Sequence, residues 1–404
     1  MTTVHTPRLT ALSVTELVEL LVPAGQPWCE NSLDGPARPP EETRAAREIA
    51  PLLDELGFAT RLVGRTTTRA NLIATKVFGP GPTLLLNDHL DTYPSGPPSR
   101  WAKCDNPFRA VVDDGRVYAR GTSDTRGNLA TLLRAVALVC ATPPETGTLV
   151  VALTVDEERN GVEGALYLLE QQGLRADASI TVEPTAWTDD TGTGVAVATQ
   201  HTGHALVDIA VTGRSSHIWR PDTGINAAHA LLAVLAGLSG LPAGWGHSVV
   251  GLDAGEAGMA QFTPLTASAR IAIVGLGPEV NRAELLQRVD DIARAHPTPG
   301  TDVHVAYAPG PTFVPGTVPL DADEPIVAAL RAGYRDAGGG EVRTYAKPAY
   351  CDTIRFRHAG IPAVTFGPGD DGWAVYDESI GVATMEFAVD ALAAAIGRYL
   401  RPSR

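Results

Sequence analysis

The chain has 404 residues, of which 44% are hydrophobic and 19% charged, as in an ordinary folded protein and unlike a disordered or fibrous one. Its formal net charge is −14, which argues against nucleic acid or an anionic membrane as its partner. This length exceeds what one hydrophobic core usually supports, so we expect two domains. The four cysteines form no CxxC pair, so we expect reduced thiols at Cys29, Cys104, Cys140 and Cys351.

The N-terminal segment predicts an amphipathic helix rather than a targeting signal. The apolar residues of positions 1–25 are interrupted by Glu16 and Glu19, and no basic leader or cleavage site accompanies them. Ser13 and Thr15 are both candidate caps of this helix. Because no run of 18 apolar residues occurs, we expect no membrane span and a cytoplasmic location.

The first half of the chain alternates buried strands with helices, which is typical of an α/β sheet with crossover helices. Short apolar runs predict strands at Thr83–Asn87, Thr148–Val155 and Ser179–Val182. Apolar residues at helical spacing predict a helix over Leu129–Cys140. Histidine or acidic residues follow each of the three strands. Since α/β sheets bind ligands beyond the carboxyl ends of their strands, we expect these residues to converge.

The pattern changes near residue 200. Apolar and polar residues alternate over His204–Thr212 and Ala267–Val274, which predicts strands with one solvated face. Ile225–Leu238 and Arg282–His296 predict helices. The succession of strand, helix, strand and helix has the size of a small α+β domain.

The first pattern resumes after the Pro/Gly-rich stretch Pro309–Pro319. We therefore expect an α/β fold with two domains. One is a catalytic α/β/α sandwich in two pieces, residues 1–199 and 311–404. The other is a smaller α+β lid or dimerisation domain inserted at residues 200–310.

Imidazole and carboxylate side chains gather around the expected strand ends, at His89, Asp91, Asp124, the Glu157-Glu158 pair and Glu183. Zinc takes such ligands, and a catalytic zinc site also keeps an open position. A carboxylate two residues beyond the histidine suits the task of orienting the imidazole. A lone aspartate in a tight glycine turn suits the task of bridging two metal ions.

Each of these short motifs is weak alone, because an acidic residue at a strand end is more often a helix cap or a surface group. Together they favour a metal centre. Burying several carboxylates without a cation costs several kcal/mol. Of the adjacent glutamates, one can bind metal while the other holds the attacking water.

With these motifs the chain resembles the M20 metallopeptidase family, which includes acetylornithine deacetylases, succinyl-diaminopimelate desuccinylases, glutamate-releasing carboxypeptidases and aminoacylases. The resemblance covers nearly the whole chain, in order and with suitable spacing. The matching stretches are LLLNDHLDT (84–92), FRAVVDDGRVYARGTSDTRGNLA (108–130), LTVDEERNGVEGA (153–165), VEPT (182–185), VTGRSSHIWRPDTGINAA (211–228) and AGIPAVTFGPGD (359–370).

The resemblance implies a centre with two divalent metal ions, zinc before cobalt or manganese. His89, Asp124 and Glu183 would hold one ion, and Asp124 with Glu158 would hold the other. Glu157 would be the general base that takes a proton from the attacking water and later delivers it to the leaving amine.

The resemblance also implies roles outside the metal centre. His217 would stabilise the oxyanion across the interface of a homodimer formed through the inserted domain. Asn226 and the turn with Gly367 and Gly369 would hold the carboxylate end of the substrate, and Arg355 offers a cation for it. The alternatives stay open: a capping or surface histidine, an ordinary glycine turn, and a surface salt bridge.

The sequence departs from the family pattern at Ala374. The family places a second metal-binding histidine four residues before a glutamate, and here Ala374 stands four residues before Glu378. Three explanations compete: an engineered replacement that inactivates the enzyme, a natural one-metal or non-hydrolytic variant, and a protein that only binds. With the histidine absent, we expect the second metal ion to be held weakly.

We therefore expect metal-dependent hydrolysis of an amide bond in a small N-acyl amino acid or dipeptide. An alternative enzyme on the same fold would form amides or rings in a biosynthetic pathway. An alternative of another class is a metal-poor binding protein. The sequence does not identify the acyl group or the amino acid, because pocket walls rather than the fold set them.

Overall fold

The computed structural model describes residues 7–24, 27–32, 39–370 and 372–401. Contacts between residues divide the chain into two compact units. Unit 1 consists of Met1–Gln200, Pro319–Lys347 and Cys351–Arg404, and unit 2 consists of His201–Val318 and Pro348–Tyr350. The catalytic role expected for residues 1–199 and 311–404 stays a prediction. So does the lid or dimerisation role expected for residues 200–310.

Unit 1 is built on a mixed eight-stranded sheet. The three strands expected from the apolar runs are confirmed at Thr83–His89, Thr148–Thr154 and Ala178–Thr181, with Thr83–His89 between the other two and parallel to both. Their carboxyl ends therefore lie at one edge of the sheet. The spatial order of strands is Ala59–Val63, Asn71–Val77, Thr148–Thr154, Thr83–His89, Ala178–Thr181, Ala363–Thr365, Val197–His201 and Thr344–Lys347.

Apolar cores cover both faces of this sheet. Leu84 and Leu86 belong to one core, whereas Leu85 belongs to the other, as the alternation of side chains along a strand requires. Each fully buried leucine stabilises the fold by roughly 1.5–3 kcal/mol relative to an exposed one. The helix expected over Leu129–Cys140 is confirmed. The helices of unit 1 are Arg8–Ala11, Val14–Ala24, Thr43–Glu55, Gly127–Ala141, Ala165–Glu170, Pro325–Asp336, Thr353–His358 and Val382–Tyr399.

The N-terminal segment forms two helices where one was expected, Arg8–Ala11 and Val14–Ala24. Ser13 caps the second: its hydroxyl accepts a 3.2 Å hydrogen bond from the Glu16 N–H, and the Glu16 carboxylate accepts one of 2.8 Å from the Ser13 N–H. This reciprocal pair is a capping box. Ser13 rather than Thr15 is thus the cap, and residues 1–6 and 25 lie outside the described residues.

Smaller elements complete unit 1. Among the described residues, no helix is long and apolar enough to span a bilayer. The four cysteines, all in the described part of the chain, form no disulfide bond. The remaining elements are a three-stranded sheet of Ser379–Gly381, Arg116–Tyr118 and Val111–Asp113, a hairpin of Ala186–Asp189 and Gly192–Val195, and single helical turns at Pro98–Arg100, Thr122–Arg126 and Glu157–Arg159.

Unit 2 is an antiparallel sheet with two helices packed on one apolar face. The elements expected from the sequence are confirmed as strands Gly203–Thr212 and Thr266–Leu276 and helices Ala227–Gly237 and Arg282–Ala295. The edge strand Gly246–Ala254 was not expected. The spatial order is Gly246–Ala254, Thr266–Leu276, Gly203–Thr212 and Asp302–Tyr307; Phe313–Val314 also pairs with Gly203–Thr212, and short turns lie at Pro221–Thr223 and Leu238–Gly240.

Candidate metal centre

The histidine and acidic residues that follow the three parallel strands come together in unit 1, as expected. His89 ends the strand Thr83–His89 and is 1% exposed. Glu157 and Glu158 occupy the helical turn Glu157–Arg159 just beyond the strand Thr148–Thr154, and Glu183 follows Ala178–Thr181. All three glutamates are buried. The sheet edge therefore carries four ionisable side chains with little access to water.

Two groups of ligand atoms are close enough to share a metal ion. One potential ligand atom each from His89, Glu157 and Glu183 lies within 4.8 Å of the others. The same holds for His89, Asp124 and Glu158. Histidine nitrogen with carboxylate oxygen is the donor set of a zinc site. The first group includes Glu157, which the sequence assigned to proton transfer, so the arrangement brings base and ligand candidates into one cluster.

Asp124 reaches this cluster from a separate loop. Gly121 adopts a left-handed φ of 82°, and this conformation allows the helical turn Thr122–Arg126 to begin at the next residue. Asp124 leaves helical geometry within that turn, with φ −138° and ψ 86°. Its Oδ1 lies 2.9 Å from His89 Nε2. The loop thus aims the carboxylate at the imidazole.

Asp91 contacts both His89 and the backbone of the turn that carries Glu157 and Glu158. Its Oδ1 lies 3.4 Å from His89 Nδ1, which agrees with the expected orienting contact. The same carboxylate accepts hydrogen bonds of 3.1 Å from the backbone N–H groups of both Glu157 and Glu158. Asn31, which is fully buried, donates to Asp91 Oδ2 at 2.9 Å. One aspartate therefore fixes the imidazole and the glutamate turn together.

The crowding of buried carboxylates in the cluster favours the binding of a cation. Burial first, and then the charges of neighbouring carboxylates, raise the pKa of Glu157 and Glu158 well above the usual value. Burial first, and then Cys351, raise the pKa of Glu183 in the same way. Burial alone would lower the pKa of His89, but nearby carboxylates, Glu157 foremost, outweigh it and raise that pKa well above normal. A divalent ion would compensate these crowded negative charges.

Unpaired polar atoms provide a test of fit. Within the described residues, Oε1 of Glu158 and Oε1 of Glu183 are buried and have no hydrogen-bond partner. A buried polar atom without a partner costs about 1–3 kcal/mol, so such atoms are rare in folded proteins. Carboxylate oxygens left free beside an imidazole fit a divalent metal ion.

Sequence reasoning missed several residues that build this site. Glu378, noted only as the marker for Ala374, accepts backbone hydrogen bonds from the loop that carries Asp124. The Tyr93 hydroxyl interacts with Glu158, whose charge and then burial raise the pKa of Tyr93 well above normal. Lys347 is buried beside Glu183. The family spacing marks the position of Glu378 but not its contacts, and no spacing or motif marks Tyr93 or Lys347.

The turn that carries Ala374 is exposed. Ala374 has a left-handed φ of 61°, a region in which histidine, asparagine and aspartate are enriched among residues other than glycine. A histidine would therefore suit this backbone at least as well as alanine does.

The glycines expected to hold substrate pack against the metal-site loops. Gly367 donates its N–H to Thr185 Oγ1 at 3.0 Å, and Gly369 donates to Asn128 Oδ1 at 3.0 Å. A Cβ at position 367 would lie 2.6 Å from the Glu183 carbonyl oxygen. Gly367 thus acts as a spacer against Glu183, and the binding of substrate by either glycine stays a prediction.

Three other expected substrate or catalytic residues have local roles. Arg355 donates to the carbonyl of Asn160, just after the glutamate turn, at 2.7 and 3.1 Å. Asn226 caps the helix Ala227–Gly237 by accepting from two backbone N–H groups. His217 is exposed in unit 2 and lies edge-to-face against Phe262, with ring centroids 5.9 Å apart. Their functional roles stay predictions.

Comparison with known families decides the relationship. Residues 85–398 match the model of the peptidase family M20/M25/M40. The chain belongs to this family. The match includes His89, Asp124, Glu157, Glu158 and Glu183, so the M20 assignment rests on the same stretch that builds the candidate centre.

Individual relatives agree with the M20 assignment. The chain is 33% identical over 209 residues to a succinyl-diaminopimelate desuccinylase of Stenotrophomonas maltophilia (strain R551-3), a match over 50% of this chain and 54% of the relative. The chain thus spans about half the length of the curated relatives it matches.

Solved M20 structures share the fold. An M20 family metallo-carboxypeptidase, Sso-CP2 from Sulfolobus solfataricus, superposes with a TM-score of 0.76 at 16% identity, over 96% of this chain and 99% of that one. The YXEP protein of Bacillus subtilis, described as a dinuclear metal-binding peptidase, has a TM-score of 0.64 at 16% identity, over 96% and 98% of the two chains. At such identities the likeness shows the fold alone.

Proposed function

We propose that this protein hydrolyses the amide bond of a small N-acyl amino acid or dipeptide in a reaction that depends on a divalent metal ion. The observation that carries the proposal is the buried cluster in which His89 lies within 4.8 Å of two pairs of carboxylates. Its relatives support the proposal, since they include a desuccinylase, a metallo-carboxypeptidase and a dinuclear metal-binding peptidase.

The ligand roles follow the family pattern. His89, Asp124 and Glu183 hold one ion, and Asp124 with Glu158 offers a second, weaker site because Ala374 supplies no ligand. Zinc is the first candidate for this donor set, with cobalt or manganese as alternatives. Bound in such a site, a divalent cation supplies Lewis acidity, which polarises a carbonyl and makes water more acidic.

Glu157 performs the proton transfers in this proposal. It takes a proton from the water whose oxygen attacks the amide carbon, and the carbonyl becomes a tetrahedral oxyanion. It then delivers that proton to the amine nitrogen as the C–N bond breaks, so carboxylate and amine leave. Burial and the charge of Glu183 raise the pKa of Glu157, which favours a group that must both accept and donate a proton. The Asp91 carboxylate keeps Glu157 in place by accepting a hydrogen bond from the backbone N–H of Glu157.

Substrate and oxyanion contacts are proposed for other residues. His217 stabilises the oxyanion with its exposed imidazole, while Asn226, Gly367, Gly369 and Arg355 recognise the carboxylate end of the substrate. The local hydrogen bonds of these residues preorganise them, because each is already held by its own element. The acyl group is left to be identified by experiment.

A homodimer through unit 2 is the assembly we propose. The strand Gly246–Ala254 forms one edge of the unit 2 sheet, and all nine of its residues are exposed. Val249, Val250 and Leu252 leave 46–62% of their surface in solvent. Such an edge readily pairs with another strand. Light scattering of wild type and Val250→Lys tests this: the proposal expects a dimer that the lysine weakens, and a monomeric wild type would refute it.

The catalytic proposal is tested by measuring free amine released from a panel of N-succinyl, N-acetyl and dipeptide substrates. Protein freed of metal and reloaded with zinc, cobalt or manganese should hydrolyse at least one member, and the chelated protein none. Glu157→Gln should lower kcat about 10²–10⁴-fold while metal content stays unchanged. Glu170→Gln, an exposed glutamate on the neighbouring helix, is the matched control and should keep full activity.

Two outcomes would contradict the proposal. Metal uptake without hydrolysis of any substrate would favour amide formation or ring closure on the same fold. Absence of metal uptake would favour a binding protein. Hydrolysis that appears only in Ala374→His would instead keep the proposed reaction and identify Ala374 as an inactivating replacement.

A further inference from the structure

Lys347 is a buried cation at the edge of the metal cluster. It ends the strand Thr344–Lys347 and is 4% exposed. Its ammonium donates a 2.5 Å hydrogen bond to the carbonyl oxygen of Pro184, the residue after Glu183. Lysine is almost never buried to this degree without charged partners, because desolvating an ammonium costs several kcal/mol.

The charges that stabilise Lys347 belong to the candidate metal ligands. Burial lowers its pKa, but the charge of Glu183 foremost, and also that of Asp124, opposes this and raises the pKa above the usual value. Reciprocally, the Lys347 charge opposes the rise in the pKa of Glu183. The ammonium therefore offsets part of the negative charge that a metal ion would otherwise offset alone.

The segment with the missing ligand covers this ammonium. Trp373 directly precedes Ala374, and the Lys347 Nζ lies 5.3 Å from the centroid of the Trp373 indole. A cation over an indole face is stabilised by about 0.5–2 kcal/mol, more when water is excluded. Where the family pattern expects a metal-binding imidazole, this turn instead brings an aromatic ring to a lysine.

We propose that Lys347 is a resident cation that replaces the charge of a second divalent ion, so that the centre tightly holds a single metal ion. The inference rests on the metal-dependent function proposed above and specifies its charge balance. One divalent ion and one ammonium then offset three of the four carboxylate charges grouped around His89, and both repel a further dication. The absence of a histidine ligand at position 374 and the presence of an ammonium at Lys347 both weaken the binding of a second ion.

A purely structural role for Lys347 predicts different behaviour. If the lysine only ties down the Pro184 carbonyl, its removal should alter stability without changing how many ions bind. Lys76 offers a matched control, since its ammonium also donates to a backbone carbonyl, that of Leu56. Lys76 pairs with Leu149 near the start of the strand whose other end leads to Glu157, so it lies away from the cluster.

The test is the zinc content of metal-stripped protein after equilibrium dialysis, measured by plasma mass spectrometry with a chelator that sets free zinc. Wild type, Lys76→Met and Lys347→Arg should bind about one ion per chain. Lys347→Met combined with Ala374→His should bind about two, with the second ion at least tenfold tighter than in Ala374→His alone, as expected when a ligand is added and a repelling charge removed. Thermal melts confirm that each variant is folded.

Defined results would overturn the inference. Wild-type protein that tightly holds two ions per chain would refute it while leaving the proposed hydrolysis intact. The inference also fails, again without affecting the hydrolysis, if the second ion binds equally well with and without Lys347 in the Ala374→His background. Wild-type protein that takes up no ion and hydrolyses nothing would overturn the metal-dependent function, and this inference with it.

Discussion

The Glu378 carboxylate accepts a 2.9 Å hydrogen bond from the backbone N–H of Asp124, the residue that approaches His89 most closely from the glycine loop. The same carboxylate accepts from the N–H groups of Gly121 and Ser123 at 3.0 and 2.9 Å. Arg120 adds an ion pair of 2.5 Å. Glu378 thus supports the whole loop from behind, which makes it a positioning residue rather than a ligand.

Replacement of Glu378 should weaken metal binding. Glu378→Gln keeps the shape of the side chain but leaves one carbonyl oxygen to accept the backbone hydrogen bonds that two carboxylate oxygens now accept. It also removes the charge that pairs with Arg120. We expect metal affinity to fall about 10–100-fold, as for other residues that orient ligands. Calorimetric zinc titration measures this. Glu386→Gln, an exposed glutamate on the last helix, is the control; equal affinities in the two variants would show that the loop does not need Glu378.

The metal-free protein should show a pH-dependent stability that stems from Glu378. Burial raises its pKa to about 7, against the opposing charge of Arg120. In the unfolded chain a glutamate titrates near pH 4.3. Between these values the folded protein binds the proton more tightly, so the contribution of Glu378 to stability is greatest below pH 4.3 and falls as pH rises towards 7, by about 4 kcal/mol in all.

Urea unfolding of wild type and Glu378→Gln across pH 4 to 8 measures that contribution. As pH rises to 7, the free energy of unfolding of wild type should fall relative to that of the glutamine variant. Above pH 7 the difference between the two should stay constant. If wild type instead gained stability relative to the variant over this range, the pKa of Glu378 in the folded protein would have to lie below that of an unfolded glutamate.

Asp91 should prove necessary for both His89 and the glutamate turn. Asp91→Asn removes the charge that orients the imidazole and replaces one of the two oxygens that bind the N–H groups of Glu157 and Glu158. We expect metal affinity to fall about 10–100-fold. Asp390→Asn on the exposed face of the last helix is the control. Unchanged zinc binding in Asp91→Asn would mean that other contacts suffice to place His89.

Gly367→Ala distinguishes a spacer from a substrate-binding turn. The new Cβ would lie 2.6 Å from the Glu183 carbonyl oxygen and 2.7 Å from Asn128 Oδ1, so the backbone that carries Glu183 must move. We expect a loss of about 1–3 kcal/mol in stability and weaker zinc binding. Gly340→Ala, with open space around its Cβ, should change neither. An effect confined to KM, with zinc binding intact, would support direct contact with substrate instead.

Local patterns in the sequence predicted most elements of the fold. The apolar run before His89 predicted a strand that the structure extends to His89 itself, and the capping box at Ser13 follows from residues three apart. The edge strand Gly246–Ala254 escaped prediction because all its residues are exposed, so burial imposes no alternation on it. The order of strands in each sheet depends on distant pairings that no local pattern encodes.

Most of the metal cluster was predictable because His89, Glu157, Glu158 and Glu183 follow strands that end at one edge. Asp124 was predicted from its glycine turn instead. The supports of the cluster were not predictable. Glu378 lies 254 residues from Asp124 along the chain, and Lys347 is far in sequence from both Glu183 and Asp124, so neither contact leaves a local signal. Ala374 could be recognised only against the family pattern, and its left-handed φ emerged only from the structure.

Anomalous X-ray diffraction at the zinc edge, from crystals of the zinc-loaded wild-type protein, tests the metal centre most directly. We predict a strong peak about 2.0–2.2 Å from His89 nitrogen and from carboxylate oxygens of the cluster. We also predict a markedly weaker second peak, or none, between Asp124 and Glu158. Crystals with zinc elsewhere on the chain and none beside His89 would contradict the proposed metal centre.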